Sequence, residues 1–399
     1  MPAIFETPLA AFASGHFEAN IFLIYTGAAA LATLALYARQ MLLVAYIVIG
    51  VLLGPIGAGV IDNSGHIREM SDIGIMFLLF LLGLNLSPIK LMKLLSSMTL
   101  VTGVSSLLFG ALGYAFGLLW GADNTDALVL GVSLMFSSTI IGLKLLPTTV
   151  LHHKPTGETI ISILLLQDAL AIVALLAIRV AGEDISQATA IMPLLALPLF
   201  IGFVYFMQKY VISRWLRKFD TIREYLLLLA IGWSIGVAEL AEFIGLSREI
   251  GAFIAGITLA ANPIALYIAE SLKPIRDFFL IIFFFSLGAS VDFDLMAEVA
   301  VPALTLSALI IALKPAVFNF LLKRSGEEQQ RALEVGIRLG QGSEFSLLIA
   351  AVATEVSLIA LKTSTLIQAV VLLTFVVSPY LIVMRYPTPI GLTEKLRRD

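Results

Sequence analysis

Apolar stretches of about twenty residues recur along this 399-residue sequence, and that recurrence constrains the fold more than any other feature. A hydrocarbon core of about 30 Å needs about 20 residues of helix to cross it. Thirteen stretches fit, at roughly 19–37, 41–60, 70–86, 95–119, 125–146, 157–179, 187–207, 221–241, 248–268, 273–290, 299–321, 331–353 and 363–385. None alternates with period two, which argues against a lipid-facing β-barrel. The expected fold is an all-α polytopic membrane protein with 13 transmembrane helices. Composition agrees: 59% of residues are hydrophobic and 13% charged, whereas about a quarter of a soluble chain is charged. So little charge cannot cover a soluble surface, which excludes a cytosolic enzyme. A net charge of −3 with no basic block excludes a nucleic-acid binder. The absence of cysteine excludes disulfide-built modules and thiolate metal sites. Met1–Ala19 holds no Lys or Arg, so it does not read as a secretory signal peptide.

Basic residues set the expected orientation. With the N-terminus outside, nineteen Lys and Arg fall on the inner side and four (Arg68, Arg179, Arg248 and Lys362) on the outer side. The two that remain, Lys314 and Arg338, lie within spans. The bias favours an external N-terminus, an internal C-terminus and an odd number of spans.

A shift of 205 residues carries Phe77–Leu86, with Gly83 and Asn85, onto Ile282–Val291, with Gly288 and Ser290. The same shift carries Ser137-Ser138 onto Gly342-Ser343. It pairs spans 1–6 with 8–13 and leaves span 7 as a linker. Seven spans separate the partners, so the two halves insert with opposite topology. Inverted repeats of this kind are typical of secondary transporters, whose binding site lies near the midplane where the halves meet.

Polar residues inside the spans point the same way. A charge at the bilayer centre costs roughly 2.5–3.5 kcal/mol on insertion scales. Asp168 sits in the middle of span 6, beside Gln167. Desolvation favours a protonated acid, while an arriving cation favours a carboxylate. A proton and a monovalent cation therefore exclude each other at such a group, and that competition is antiport chemistry. The plainer alternative is a protonated acid hydrogen-bonded to a neighbouring helix. Gln167 offers either a neutral carbonyl ligand or an interhelical hydrogen bond.

Span 5 carries Ser137, Ser138 and Thr139, and span 12 carries Gly340-Gln341-Gly342-Ser343-Glu344. Small and hydroxyl residues at mid-span mark helices that unwind and expose half-helix ends to an ion, or helices that pack closely. Lys314 precedes Pro315 in span 11, and Arg338 and Glu344 flank the polar cluster of span 12. These three are expected to be electrostatic partners, with Glu344 facing Lys314 or Arg338. Glu239 and Glu242 lie near the outer end of span 8 and are not expected to be ligands. His152 and His153 lack metal-ligand spacing. Walker, potassium-filter and His-Glu-x-x-His patterns are absent from the sequence. Neither enzymatic activity nor a resident cofactor is expected.

Several motifs in order resemble the monovalent cation/proton antiporter-2 family, which includes the Kef-type potassium/proton antiporters. They are Arg39-Gln40 with Tyr46, Gly50, Gly54-Pro55 and Gly57; Asp72 through Gly83; Ser137-Ser138-Thr139; Gly157-Glu158; and Gln167-Asp168. Gly245-Leu246-Ser247, Gly251-Ala252-Phe253, Gly256, Lys314 and Gln341–Phe345 continue the series. The Gln-Asp pair is similar to the potassium-exchanging branch, whereas a pair of carboxylates is associated with electrogenic sodium exchangers. Asn85 departs from the Glu usual at that place.

The resemblance implies a sodium/proton-antiporter-like fold of two inverted six-helix repeats with crossed broken helices. It implies scaffold and dimerisation helices in 1–94 and 221–298, and core helices in 95–180 and 299–386. A linker would occupy 181–220 and a cytoplasmic tail 387–399. It further implies a homodimer in a bacterial inner membrane. The cation and proton would bind at Asp168 and Gln167 with Ser137, Ser138 and Thr139, the cation itself on Asp168. Lys314, Glu344 and Arg338 would be the core partners. Kef-type members usually continue into a cytoplasmic nucleotide-binding regulatory domain. This sequence ends at Asp399, so it reads either as a short member or as the transmembrane part of a longer one. The expected function is exchange of K+ for H+ by alternating access, electroneutral if one carboxylate titrates. A Na+/H+ antiporter is the alternative, and a cation channel on the same scaffold the alternative of another class.

Overall fold

A computed structural model describes residues 17–388 except 39, 41, 56, 62–64, 86–87, 147–154, 183–197, 245, 247 and 292. The tail 389–399, the pair His152 and His153 and much of the expected linker span lie outside the described residues, so the thirteen-span total draws partly on segments outside them.

Every described element is a helix. They are α1 (Phe17–Tyr37), α2 (Leu42–Leu53), α3 (Gly65–Asn85), α4 (Pro88–Trp120), α5 (Asn124–Leu134), α6 (Thr139–Lys144) and α7 (Pro155–Gly182). Residues 198–218 are helical with a π-turn at Gln208–Ile212. Then come α8 (Arg223–Phe243), α9 (Arg248–Ala260), α10 (Ala265–Ala289), α11 (Phe293–Arg324), α12 (Gln329–Arg338), α13 (Glu344–Glu355) and α14 (Leu361–Val383). Among the described residues, six helices are long and apolar enough to cross a bilayer, and α2 and the Ile250–Ala260 part of α9 are shorter apolar helices. In lipid a backbone must satisfy its own polar groups, and a helix does this within one segment.

One expected boundary is wrong. The expected stretch 248–268 runs through a turn at 261–264, and the helix that follows begins at Ala265 and carries Pro274 inside it. Asn262 makes the turn: its Oδ1 accepts the Ile264 N–H at 3.1 Å and its carbonyl accepts the Ala265 N–H at 3.0 Å. An Asx turn of this kind interrupts a helix.

The chain divides into two compact units. One is formed by the described residues within 1–31, 45–92 and 184–290, the other by those within 32–44, 93–183 and 291–399. In the first, α3 packs against α9 and α10. A Cβ on Gly83 would lie 2.5 Å from the Phe253 carbonyl oxygen, and one on Gly288 would lie 2.1 Å from that of Ile47. The two glycines that correspond under the 205-residue shift thus both sit where helix backbones touch. Lipid supplies no hydrophobic drive between helices, so close packing of this sort holds them together. Ile24, Ile49, Ile67, Ile282 and Phe285 fill the same unit's core.

In the second unit, α11 packs on α12 and α14, and α13 on α5, α7 and α14. Phe109, Ile160, Ile163, Phe318, Val335 and Leu339 share one buried cluster. A Cβ on Gly336 would lie 2.7 Å from the Pro315 carbonyl oxygen, so the α11 and α12 backbones touch beside Lys314.

Candidate functional site

Two helices of this unit are interrupted in mid-course. Helix stops at Leu134 and restarts at Thr139; it stops again at Arg338 and restarts at Glu344. The restarts at Thr139 and Glu344 are 205 residues apart, the period of the sequence repeat. Both gaps are buried: Ser137, Ser138, Gln341 and Ser343 are fully enclosed. Unwound backbone at this depth survives only where protein groups replace the lost helical bonds. The replacements can be followed atom by atom.

At the first gap, Gln167 on α7 spans the opening. Its Nε2 donates to the Met135 carbonyl at 3.2 Å and its Oε1 accepts the Ser137 N–H at 3.0 Å. The Ser138 hydroxyl oxygen accepts the Ile141 N–H at 3.1 Å, which caps α6. The Ser137 hydroxyl donates to the Leu339 carbonyl at 2.8 Å, tying the first gap to the second. The Lys314 ammonium bridges both, donating to the Phe136 carbonyl at 2.5 Å and the Gln341 carbonyl at 3.0 Å. It also lies 5.2 Å from the centre of the Phe109 ring. Across the gaps, the Ser346 hydroxyl donates to the Ser133 carbonyl.

The second gap is closed mostly from its own half. Ser343 accepts the Phe345 N–H at 3.1 Å and caps α13, and Thr374 accepts the Gly342 N–H at 3.0 Å. Gln341 donates to the Arg338 carbonyl at 2.9 Å and accepts the Ser378 hydroxyl at 3.0 Å.

Asp168 stands on α7 beside this network and is 2% exposed. The Thr139 hydroxyl donates to its carboxyl, 3.0 Å from one oxygen and 3.2 Å from the other. Glu344, buried at the start of α13, acts on Asp168 electrostatically. Of the five residues expected around the cation, the structure brings Thr139 to Asp168. The polar atoms of Ser137, Ser138 and Gln167 hold backbone instead.

Arg338 is fully buried, and its ion pair is with Glu334, one turn earlier, at 2.9 Å. It also donates to the Leu145 and Pro387 carbonyls at 2.9 and 3.0 Å and stacks 5.5 Å from the Tyr386 ring centre. A cation at the carbonyl end of a helix is favourable, and here it closes the end of α6. Sequence reasoning missed Glu334, although the i,i+4 spacing was visible. It also missed Thr374 and Ser378, a hydroxyl pair at the same spacing. Glu239 and Glu242 both pair with Arg248, with oxygens 3.1 and 2.6 Å away, on partly exposed side chains.

Buried helix breaks bonded to each other beside a buried acid fit a membrane-embedded transport protein. The comparisons agree: residues 22–383 match the model of the sodium/hydrogen exchanger transmembrane family, and the chain belongs to that family. It is 28% identical over 353 residues to the iron transporter MagA of Paramagnetospirillum magneticum, covering 86% of this chain and 79% of that one. It is 28% identical over 373 residues to the glutathione-regulated potassium-efflux system protein KefC of Cronobacter sakazakii, covering 91% of this chain and 59% of that one. The chain thus spans well under two thirds of the KefC length. The solved sodium proton antiporter MjNhaP1 of Methanocaldococcus jannaschii superposes with a TM-score of 0.69 at 14% identity, over 91% of this chain and 96% of that one. The sodium/proton-antiporter-like fold expected from the sequence is therefore present.

Proposed function

We propose that the chain exchanges a monovalent cation, K+ foremost, for H+ by alternating access, with Asp168 holding one or the other. The observation that carries this reading is a buried carboxyl bonded by the hydroxyl of Thr139, the residue that opens a half-helix at a gap in the membrane domain. A charge there is costly unless a proton or a cation compensates it, so each ligand expels the other. The family and the KefC relative, which is named for potassium efflux, support cation/proton exchange and K+ as the cation.

The MagA relative is named for iron, yet the donor chemistry here suits an alkali cation better. Divalent iron favours imidazole and several carboxylates. Among the described residues no group of three His, Cys, Asp or Glu could hold a metal ion. Gln167 serves as the clamp that keeps the first gap open beside Asp168, and Lys314 donates to a carbonyl of each gap. One titrating carboxylate gives one-for-one, electroneutral exchange. The protein works as a homodimer in a bacterial inner membrane, N-terminus outside and C-terminus inside, with the gap-bearing core (95–180 and 299–386) moving against the scaffold.

Reconstitution tests this. In liposomes carrying a pH-sensitive dye and an imposed proton gradient, adding K+ should move protons, and Na+ and Li+ rank the selectivity. Varying the membrane potential should leave the rate unchanged. Cation-triggered proton movement that persists in Asp168→Asn would remove Asp168 from the site, and large currents without proton movement would make the protein a channel.

A further inference from the structure

A cavity of about 240 Å³ lies between α11, α12 and α14, away from Asp168. Its lining falls into stripes. Leu333, Ile337 and Gly340 run along one side of α12 into the second gap, and Ser378, Leu381 and Arg385 run along α14 and past its end. Both stripes advance by three and four residues, the spacing of a single helix face. Each advances by seven residues from end to end, so the groove is about 10 Å long. The Ser378 hydroxyl bonds Gln341, which places the inner end of the groove at the second gap and Arg385 at the outer end.

The walls are aliphatic except at two points, the Ser378 hydroxyl inside and the Arg385 guanidinium at the mouth. Leu381 and Arg385 are exposed, and Ile337 and Leu333 are half-buried, so the groove opens sideways. Glu334, the acid next to Leu333, is engaged by Arg338 and does not oppose an anion at the mouth. A narrow aliphatic channel with one cation at its outer end matches a molecule with an aliphatic chain and an anionic head.

We infer that this groove binds one acyl chain of an anionic phospholipid, with the lipid phosphate against Arg385. The membrane supplies this ligand at high local concentration, and a basic residue at the surface draws anionic headgroups. The inner end of the groove is built by Gly340 and Pro315, next in sequence to Gln341 and Lys314. A Cβ on Gly340 would lie 3.1 Å from the Pro315 ring, so this crossing has no slack. A chain lodged there holds α11 and α12 in their present arrangement and thereby biases the second gap. That consequence for transport rests on the exchange reading; the binding does not.

Binding is read by native mass spectrometry of the purified full chain, equilibrated with equal amounts of phosphatidylglycerol and phosphatidylcholine. The wild type should retain phosphatidylglycerol over phosphatidylcholine by about fivefold. Arg385→Gln, which removes the charge, and Ile337→Trp, which fills the groove, should each bring that ratio to about one. Far-UV circular dichroism should show both variants folded; Arg385 is exposed, so its variant decides the matter if Ile337→Trp misfolds. Equal retention of the two lipids by the wild type, or a preference that survives either folded variant, overturns the proposal. In phosphatidylcholine vesicles, adding phosphatidylglycerol should change the exchange rate of the wild type and leave that of Arg385→Gln unchanged. Absence of exchange in every vesicle counts against the transport reading alone, because the lipid ratio is measured without transport.

Discussion

Thr139 and Glu344 occupy matching places, each opening the half-helix after a gap, yet one is a hydroxyl bonded to Asp168 and the other a buried acid. The gaps differ in how they are held as well. Each is capped by its own serine, Ser138 or Ser343, and Lys314 on α11 reaches both; beyond that, Gln167 on α7 spans the first and Thr374 on α14 steadies the second. Gln167 and Asp168 are neighbours on one helix, so the proposed cation site and the clamp on the first gap share α7. A repeat thus gives two breaks the same backbone, and side chains set them apart: the proposed site lies at the first, where Thr139 meets Asp168. Lys314, placed by only one of the two halves, serves both.

The largest effect should come from Asp168→Asn, which keeps the shape and removes the charge. Cation-triggered proton movement in vesicles should fall to that of protein-free controls, while the melting curve stays close to wild type. A wild-type rate in this variant would dissolve the distinction between the two gaps.

Lys314→Met comes next and should weaken both gaps at once. Two buried carbonyls lose their donor, which lowers the unfolding free energy by about 2–4 kcal/mol. Thermal unfolding in detergent reads this, and an unchanged melting temperature would show that the ammonium bridges nothing of consequence.

A pair of smaller changes sharpens the contrast. Thr139→Val removes the hydrogen bond to the carboxyl without changing shape. A hydrogen bond to a charged group is worth about 1.5–3 kcal/mol, so the apparent cation affinity should fall about tenfold or more. Ser343→Ala should do the reverse, costing about 1 kcal/mol of stability through the lost cap while leaving affinity alone. If both variants shift affinity equally, the second gap is part of the site.

Much of this was legible in the sequence because membranes make single residues informative. Asp168 stood out through its cost in lipid, and both gaps through clusters of small and hydroxyl residues one repeat apart. The division of labour among Ser137, Ser138 and Thr139 was not legible. Adjacent hydroxyls look alike in sequence, and only the path of the unwound backbone decides that Ser138 caps α6 while Thr139 meets the acid. Glu344 was expected to face Lys314 or Arg338, but Arg338 is taken by Glu334 on its own helix, a local pair that wins by proximity. The turn at Asn262 falls inside an expected span because the residues on both sides of it are apolar, and it is the Asn side chain that makes the turn.

Proton release on cation binding examines the competition itself, apart from any motion of the protein. K+ is added to purified protein in weakly buffered detergent solution, and the pH change is recorded beside the bound K+. Wild type should liberate close to one proton for each K+ taken up, and Asp168→Asn should liberate none. Potassium uptake by the wild type with no acidification would mean that the carboxyl never chooses between its two ligands.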